Sequence, residues 1–112
     1  MMVTNTSSPF GSRARTQALL ALHLMRESYA RELARLLDLS LSGVQKALGS
    51  LERDGLVAGR AVGRTRLFRI DPRAFARREL ERYLDRLLEP ESVLRARAAT
   101  LRRRPRRTGK PL

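Results

Sequence analysis

The sequence predicts a mainly α domain with a small β-hairpin: three helices in succession, two short strands and a further long helix. Three observations predict it. Apolar residues recur at helical spacing in three consecutive stretches between residues 10 and 54. The period then changes, and residues 56–60 and 65–70 read as two strands joined through Ala61, Val62, Gly63 and Arg64. From Pro72 the helical period returns and carries on to Leu88.

Each element has a local reason. In the first helix, within 10–27, Ala18, Leu19, Leu22 and Met25 are widened by Ala14, Leu20 and Leu24 into a broad stripe, and Ser12 suits the N-cap. A break at Ser28 and Tyr29 precedes a two-turn helix that turns Leu33, Leu36 and Leu37 to one side and Arg31, Glu32 and Arg35 to the other. Asp38, Leu39 and Ser40 make a tight connection. Ser40 caps a third helix in which Val44, Leu48 and Leu51 recur at i, i+4 and i+7, and Asp54 with Gly55 ends it. In the hairpin Phe68 and Ile70 are expected toward the core, with Leu67 on the other side because side chains alternate along a strand. Pro72 is expected to open the fourth helix. That helix sets Ala76, Leu80, Tyr83, Leu84, Leu87 and Leu88 against a face of Arg73, Arg77, Arg78, Arg82 and Arg86. After Pro90, one more helical piece is expected around Val93, Leu94, Ala98 and Leu101.

Three regions follow: a loose, disordered N-terminal arm over 1–9, a folded unit over 10–88, and a short helix with a basic, partly disordered tail over 89–112. Residues 1–9 contain neither a basic leader nor an apolar run, and no window approaches a membrane span, so a cytoplasmic protein with no membrane partner is expected.

Composition narrows the function. The 112 residues carry 24 Lys plus Arg against 11 Asp plus Glu, a formal charge of +13, with no cysteine and one histidine. No disulfide, thiolate metal site or thiol nucleophile can form, and multi-histidine metal sites are excluded too. Lys46 and Lys110 are the only lysines. Arginine is the better fork for phosphates and guanine edges, and such a surplus points to a polyanion, with nucleic acid first. No nucleophile, base and orienting group converge, and no phosphate-cradling glycine loop exists, so neither an enzyme nor a cofactor is expected.

Helix, three-residue turn, helix and a Gly-tipped hairpin is the order of a winged helix-turn-helix. The run from Glu32 to Ser40, then Val44, Leu48, the run from Leu51 to Val57, and the run from Gly63 to Ile70 resemble the winged-helix transcriptional regulators of bacteria and archaea. The ArsR-like group is the nearest in overall pattern. The resemblance covers 10–88 and implies that the helix over 41–54 enters the major groove while the hairpin over 56–70, the wing, lies on the adjacent backbone or minor groove. It also implies a C-terminal dimerisation helix. The metal-sensing branch of that group uses cysteine or clustered histidine and carboxylate ligands that are missing here, so no metal role carries over. His23 reads as an interface or surface residue.

With Val44, Leu48 and Leu51 inward, Ser42, Gly43, Gln45, Lys46, Gly49 and Ser50 fall on or near the outer surface, beside Ser40. Gln45 can pair bidentately with adenine, Lys46 can reach guanine or phosphate, and the serines can donate to either. Gly43 and Gly49 each cost about 1 kcal/mol relative to alanine inside a helix, which suggests close approach to a phosphate or another backbone, or simple tolerance by packing. Arg60, Arg64, Arg66 and Arg69 lie within ten residues with no acid among them. Arg64 at the tip is the candidate for the minor groove, with Arg60 and Arg66 on the flanking backbone. Arg13, Arg15, Arg31 and Arg35 can add phosphate contacts.

The first and fourth helices are broad in apolar surface, and a homodimer seam through Leu19, Leu22, Leu80, Tyr83, Leu84 and Leu87 would cover it. The expected partner is double-stranded DNA read by a dimer. A repressor is expected because the compact chain has no evident domain for recruiting polymerase. The stretch after Leu88 holds eight cations against Glu89 and Glu91. It would add salt-dependent affinity for DNA, or grip RNA or an acidic protein. The alternative function is therefore a winged-helix adaptor that binds a protein or RNA through its apolar face and tail.

Overall fold

The computed structural model describes residues 8–103. Five helices and one three-stranded sheet follow in the order α1 (Arg13–Met25), β1 (Glu27–Tyr29), α2 (Ala30–Leu37), α3 (Leu41–Arg53), β2 (Val57–Val62), β3 (Thr65–Ile70), α4 (Arg77–Leu88) and α5 (Ser92–Arg103). The anticipated α-rich domain with its hairpin is therefore the fold of the protein.

α1 is the axis of the core. Its cap is the predicted one, with the Ser12 hydroxyl accepting from the Arg15 amide at 3.1 Å. Thr16 to Leu22 and Met25 are all buried, because α2, α3, α4, α5 and β3 surround the helix. Such enclosure accounts for a stripe too broad for one partner. Asp38 takes the left-handed conformation that closes α2, and the Leu39 amide returns to the Ala34 carbonyl at 3.0 Å. α3 ends in the same manner, the Leu56 amide reaching the Leu51 carbonyl at 3.0 Å.

The sheet has one more strand than the sequence suggests. The break at Ser28 and Tyr29 is β1, which pairs antiparallel with β3 through Glu27↔Arg69, Ser28↔Phe68 and Tyr29↔Leu67, in the order β1-β3-β2. Three residues are too few to display a period of two, and only the pairing reveals them. In the hairpin Val62 lies opposite Thr65, so Gly63 and Arg64 alone form the turn. Gly63 comes first with φ 61°, the place where a two-residue turn of the II′ kind needs glycine. Phe68 and Ile70 join the core as expected, and Leu67, on the other face, is buried there as well.

Two expectations about the C-terminal half are corrected. Pro72 does not open α4. The Asp71 carboxylate accepts the Arg73 amide and its carbonyl accepts the Ala74 amide, each at 2.9 Å, so the chain is held in a turn and the helix starts at Arg77. Ala76, expected on the helix face, is instead the left-handed N-cap at φ 55°, and Phe75 beside it is 96% exposed. Nor does the folded unit stop at Leu88. α5 packs on α1 and α2, with Leu94 and Ala98 fully buried among them. Arg95 donates to the Leu88 and Glu89 carbonyls that end α4, and Arg97 donates to the Arg35 carbonyl that ends α2. Most of the arm and the basic tail beyond α5 lie outside the described residues.

Candidate nucleic-acid interface

α3 presents its outer side because Val44, Ala47, Leu48 and Leu51 are buried on the other. Ser42, Gln45 and Lys46 are exposed on that outer side. The Ser40 hydroxyl accepts the Gly43 amide at 3.1 Å and so caps the helix. That bond explains Gly43, since a Cβ there would come within 2.9 Å of the Ser40 Oγ. Gly49 has no such internal cause, its nearest neighbour being the tip of Arg53 at 3.6 Å.

A cleft of about 490 Å³ separates α3 from the wing, with Gln45 and Gly49 on one wall, Arg64 and Arg66 on the other, and Tyr29 and Arg31 at its end. The fold thus brings Gln45, Arg31 and Arg64 together from three elements. Gln45 and Arg64 have no internal partner among the described residues, so their donors are free for an external acceptor.

Other expected site residues are placed differently. Ser50 does not face the cleft. It accepts from Arg15 Nη1, while Arg15 Nη2 meets Asp54 Oδ2 at 2.7 Å and Arg15 Nε donates to the Phe10 carbonyl at 2.7 Å. Arg15 is therefore a brace between α1 and the end of α3. Arg66 is also held inside the protein. Its guanidinium is bidentate to Glu52 and donates to the Gly59 carbonyl at 2.9 Å, stacking 5.4 Å from the centre of the Phe68 ring. A side chain on Gly59 would collide with both Arg66 and Phe68. Arg60 lies across from Leu67, on the other sheet face from Arg66, with Glu27 Oε1 at 3.6 Å. Glu52 as the partner of Arg66, and Arg15 as an internal brace in place of the expected phosphate contact, are invisible in the sequence, because each bond joins residues far apart in the chain.

The expected dimer seam shrinks. Leu19, Leu22 and Leu84 are fully buried in the protomer's own core, where no second chain can reach them. Leu80 and Leu87 pack partly against that core, and Tyr83 remains 46% exposed with its ring 5.8 Å from that of Phe10. His23 joins α1 to α4, its Nε2 lying 2.7 Å from Asp85 Oδ1. Among the described residues no three His, Asp or Glu side chains group as a metal ion would require, and no helix is long and apolar enough to cross a membrane.

No protein-family model matches the sequence, and no curated protein matches it. Solved structures do. Reduced HlyU from Vibrio cholerae is similar over 70% of this chain and 77% of that chain, with 29% identity and a TM-score of 0.57. A ZitR double mutant from Lactococcus lactis is similar with 20% identity and a TM-score of 0.55, covering 82% of this chain. In its apo form that mutant gives 21% identity and a TM-score of 0.51. This chain spans 66% and 64% of the two ZitR chains. The chain has the winged-helix fold found among DNA-binding transcription regulators.

Proposed function

We propose that this protein is a sequence-specific, duplex-DNA-binding transcription regulator that acts as a homodimer and represses by occluding its site. The observation that carries the reading is the cleft in which Gln45, Arg31 and Arg64 converge from α3, α2 and the wing tip. In this reading α3 lies in the major groove, where Gln45 reads adenine and Lys46 reads guanine or a phosphate. Ser40, Ser42 and Arg31 fix the register on phosphates, Arg64 enters the neighbouring minor groove, and Arg60 follows the backbone. Gly49 allows the backbone to approach. Tyr83, Leu80 and Leu87 form the seam between protomers, which sets the two recognition helices about 34 Å apart. The chain recognises its partner and performs no catalysis.

Selection from random duplexes by the intact chain tests this reading. Paired half-sites one helical turn apart are expected, with preference at one base position relaxed by about 1–3 kcal/mol in Gln45→Ala. Run-off transcription from a template bearing the selected site is expected to fall. Uniform protection of every duplex would overturn the proposal.

A further inference from the structure

A second cleft, of about 590 Å³, opens where α3 takes no part, between the end of α1, the root of β3, the start of α4 and the end of α5. A volume of that order accommodates a small organic ligand. Arg26, Arg69 and Arg102 reach it from three different elements. None of the three has an ion pair or a side-chain hydrogen bond among the described residues. The acids of the cleft are already engaged: Glu81 by Arg77 at 3.3 Å, and Asp85 by His23 at 2.7 Å. Glu27, across from Arg69 in the strand register, lies 3.6 Å from Arg60. Leu24, Ile70 and Pro72 supply an apolar floor. The backbone adds a further oddity, since Arg26 ends α1 at φ 71°, a conformation that costs a non-glycine residue energy.

Three unpaired guanidinium groups around an apolar floor repel one another unless an anion lies among them, and their fork geometry suits phosphate and carboxylate oxygens. We infer that this cleft is a binding site for a small organic anion carrying phosphate or carboxylate groups, held by Arg26, Arg69 and Arg102. The bound anion would tie the root of the wing to the ends of α1 and α5. This inference does not depend on the DNA-binding proposal.

The test is isothermal titration of the full chain with pyrophosphate, citrate and adenosine monophosphate at matched ionic strength. Pyrophosphate and adenosine monophosphate against citrate report which headgroup is preferred. One-to-one saturable binding of at least one probe is expected, weakened about tenfold by Arg69→Gln and by Arg26→Gln, as for loss of one charge-assisted contact. Arg78→Gln, an exposed change on α4 away from the cleft, is expected to leave binding intact. Circular dichroism confirms that each variant is folded. The inference is overturned if no probe saturates, or if Arg78→Gln costs as much as Arg69→Gln, the mark of diffuse attraction to a cationic chain. It is also overturned if duplex DNA displaces the probe, which would assign these arginines to a phosphate track.

Discussion

Arg66 grips Glu52 with both terminal guanidinium nitrogens, Nη1 to Oε1 at 3.1 Å and Nη2 to Oε2 at 2.8 Å, and thereby fastens the wing to α3. An acid near the mouth of a cationic cleft opposes polyanion binding unless it is neutralised. Here it is matched by the one wing arginine that also reaches the Gly59 carbonyl.

Removing that acid should separate stability from affinity. The pair is half exposed, so Glu52→Gln is expected to cost about 0.5–1 kcal/mol, a drop of a few degrees in Tm. Binding to any duplex should tighten, and the log–log salt slope should steepen by about 0.9 as Arg66 becomes free for a phosphate. Thermal melts and fluorescence anisotropy at several salt concentrations measure the two effects. An unchanged slope would mean that Gly59 and Phe68 alone hold Arg66.

The two glycines of α3 should respond in different ways. Gly49→Ala meets only an ordinary contact and is expected to stabilise the protein by about 0.5–1 kcal/mol. If DNA approaches the backbone there, the same change weakens binding. Gly43→Ala displaces the Ser40 hydroxyl from its capping bond, so the propensity gain is offset by about 1 kcal/mol and no stabilisation appears. Urea denaturation and anisotropy on both variants settle the point.

α5 and the proposed seam on α4 should respond differently to substitution. Leu94→Ala opens a cavity beside α1 and is expected to cost about 2–5 kcal/mol, whereas Val93→Ala, at a 53% exposed position, costs less than about 0.5 kcal/mol. Tyr83→Glu should leave folding intact but shift sedimentation from dimer toward monomer. A dimer unaffected by Tyr83→Glu would remove the proposed seam.

Gln17 is the remaining anomaly. Its side chain is buried in α1, and neither amide atom has a hydrogen-bond partner among the described residues. Gln17→Met keeps the volume and removes the unsatisfied groups, so unfolding free energy should rise by about 1–3 kcal/mol. A loss of stability would show that the amide is solvated in the folded protein.

By itself the sequence determined the features that depend on neighbours in the chain. The Ser12 and Ser40 caps, the turn at Asp38, the end of α3 and the hairpin at Gly63 all follow from local hydrogen bonds and backbone preference. The same local rules identified Gln45 and Lys46 on the outside of α3, because burying Val44 and Leu48 settles which way they face. Tertiary structure decided what depends on residues distant in the chain. It made three residues at Glu27–Tyr29 into a strand by providing β3 as a partner. It drew α5 into the core, and it enclosed Leu19, Leu22 and Leu84, which a helical stripe alone cannot assign to a core or to a second chain. It also sorted the arginines, whose charge is evident in the sequence but whose pairing is not. Arg15 and Arg66 are bound internally, Arg64 at the wing tip has no partner among the described residues, and Arg26, Arg69 and Arg102 gather at a second cleft. Net charge is a sum over residues, whereas the availability of each charge depends on which acid or carbonyl the fold places within a few ångströms of it.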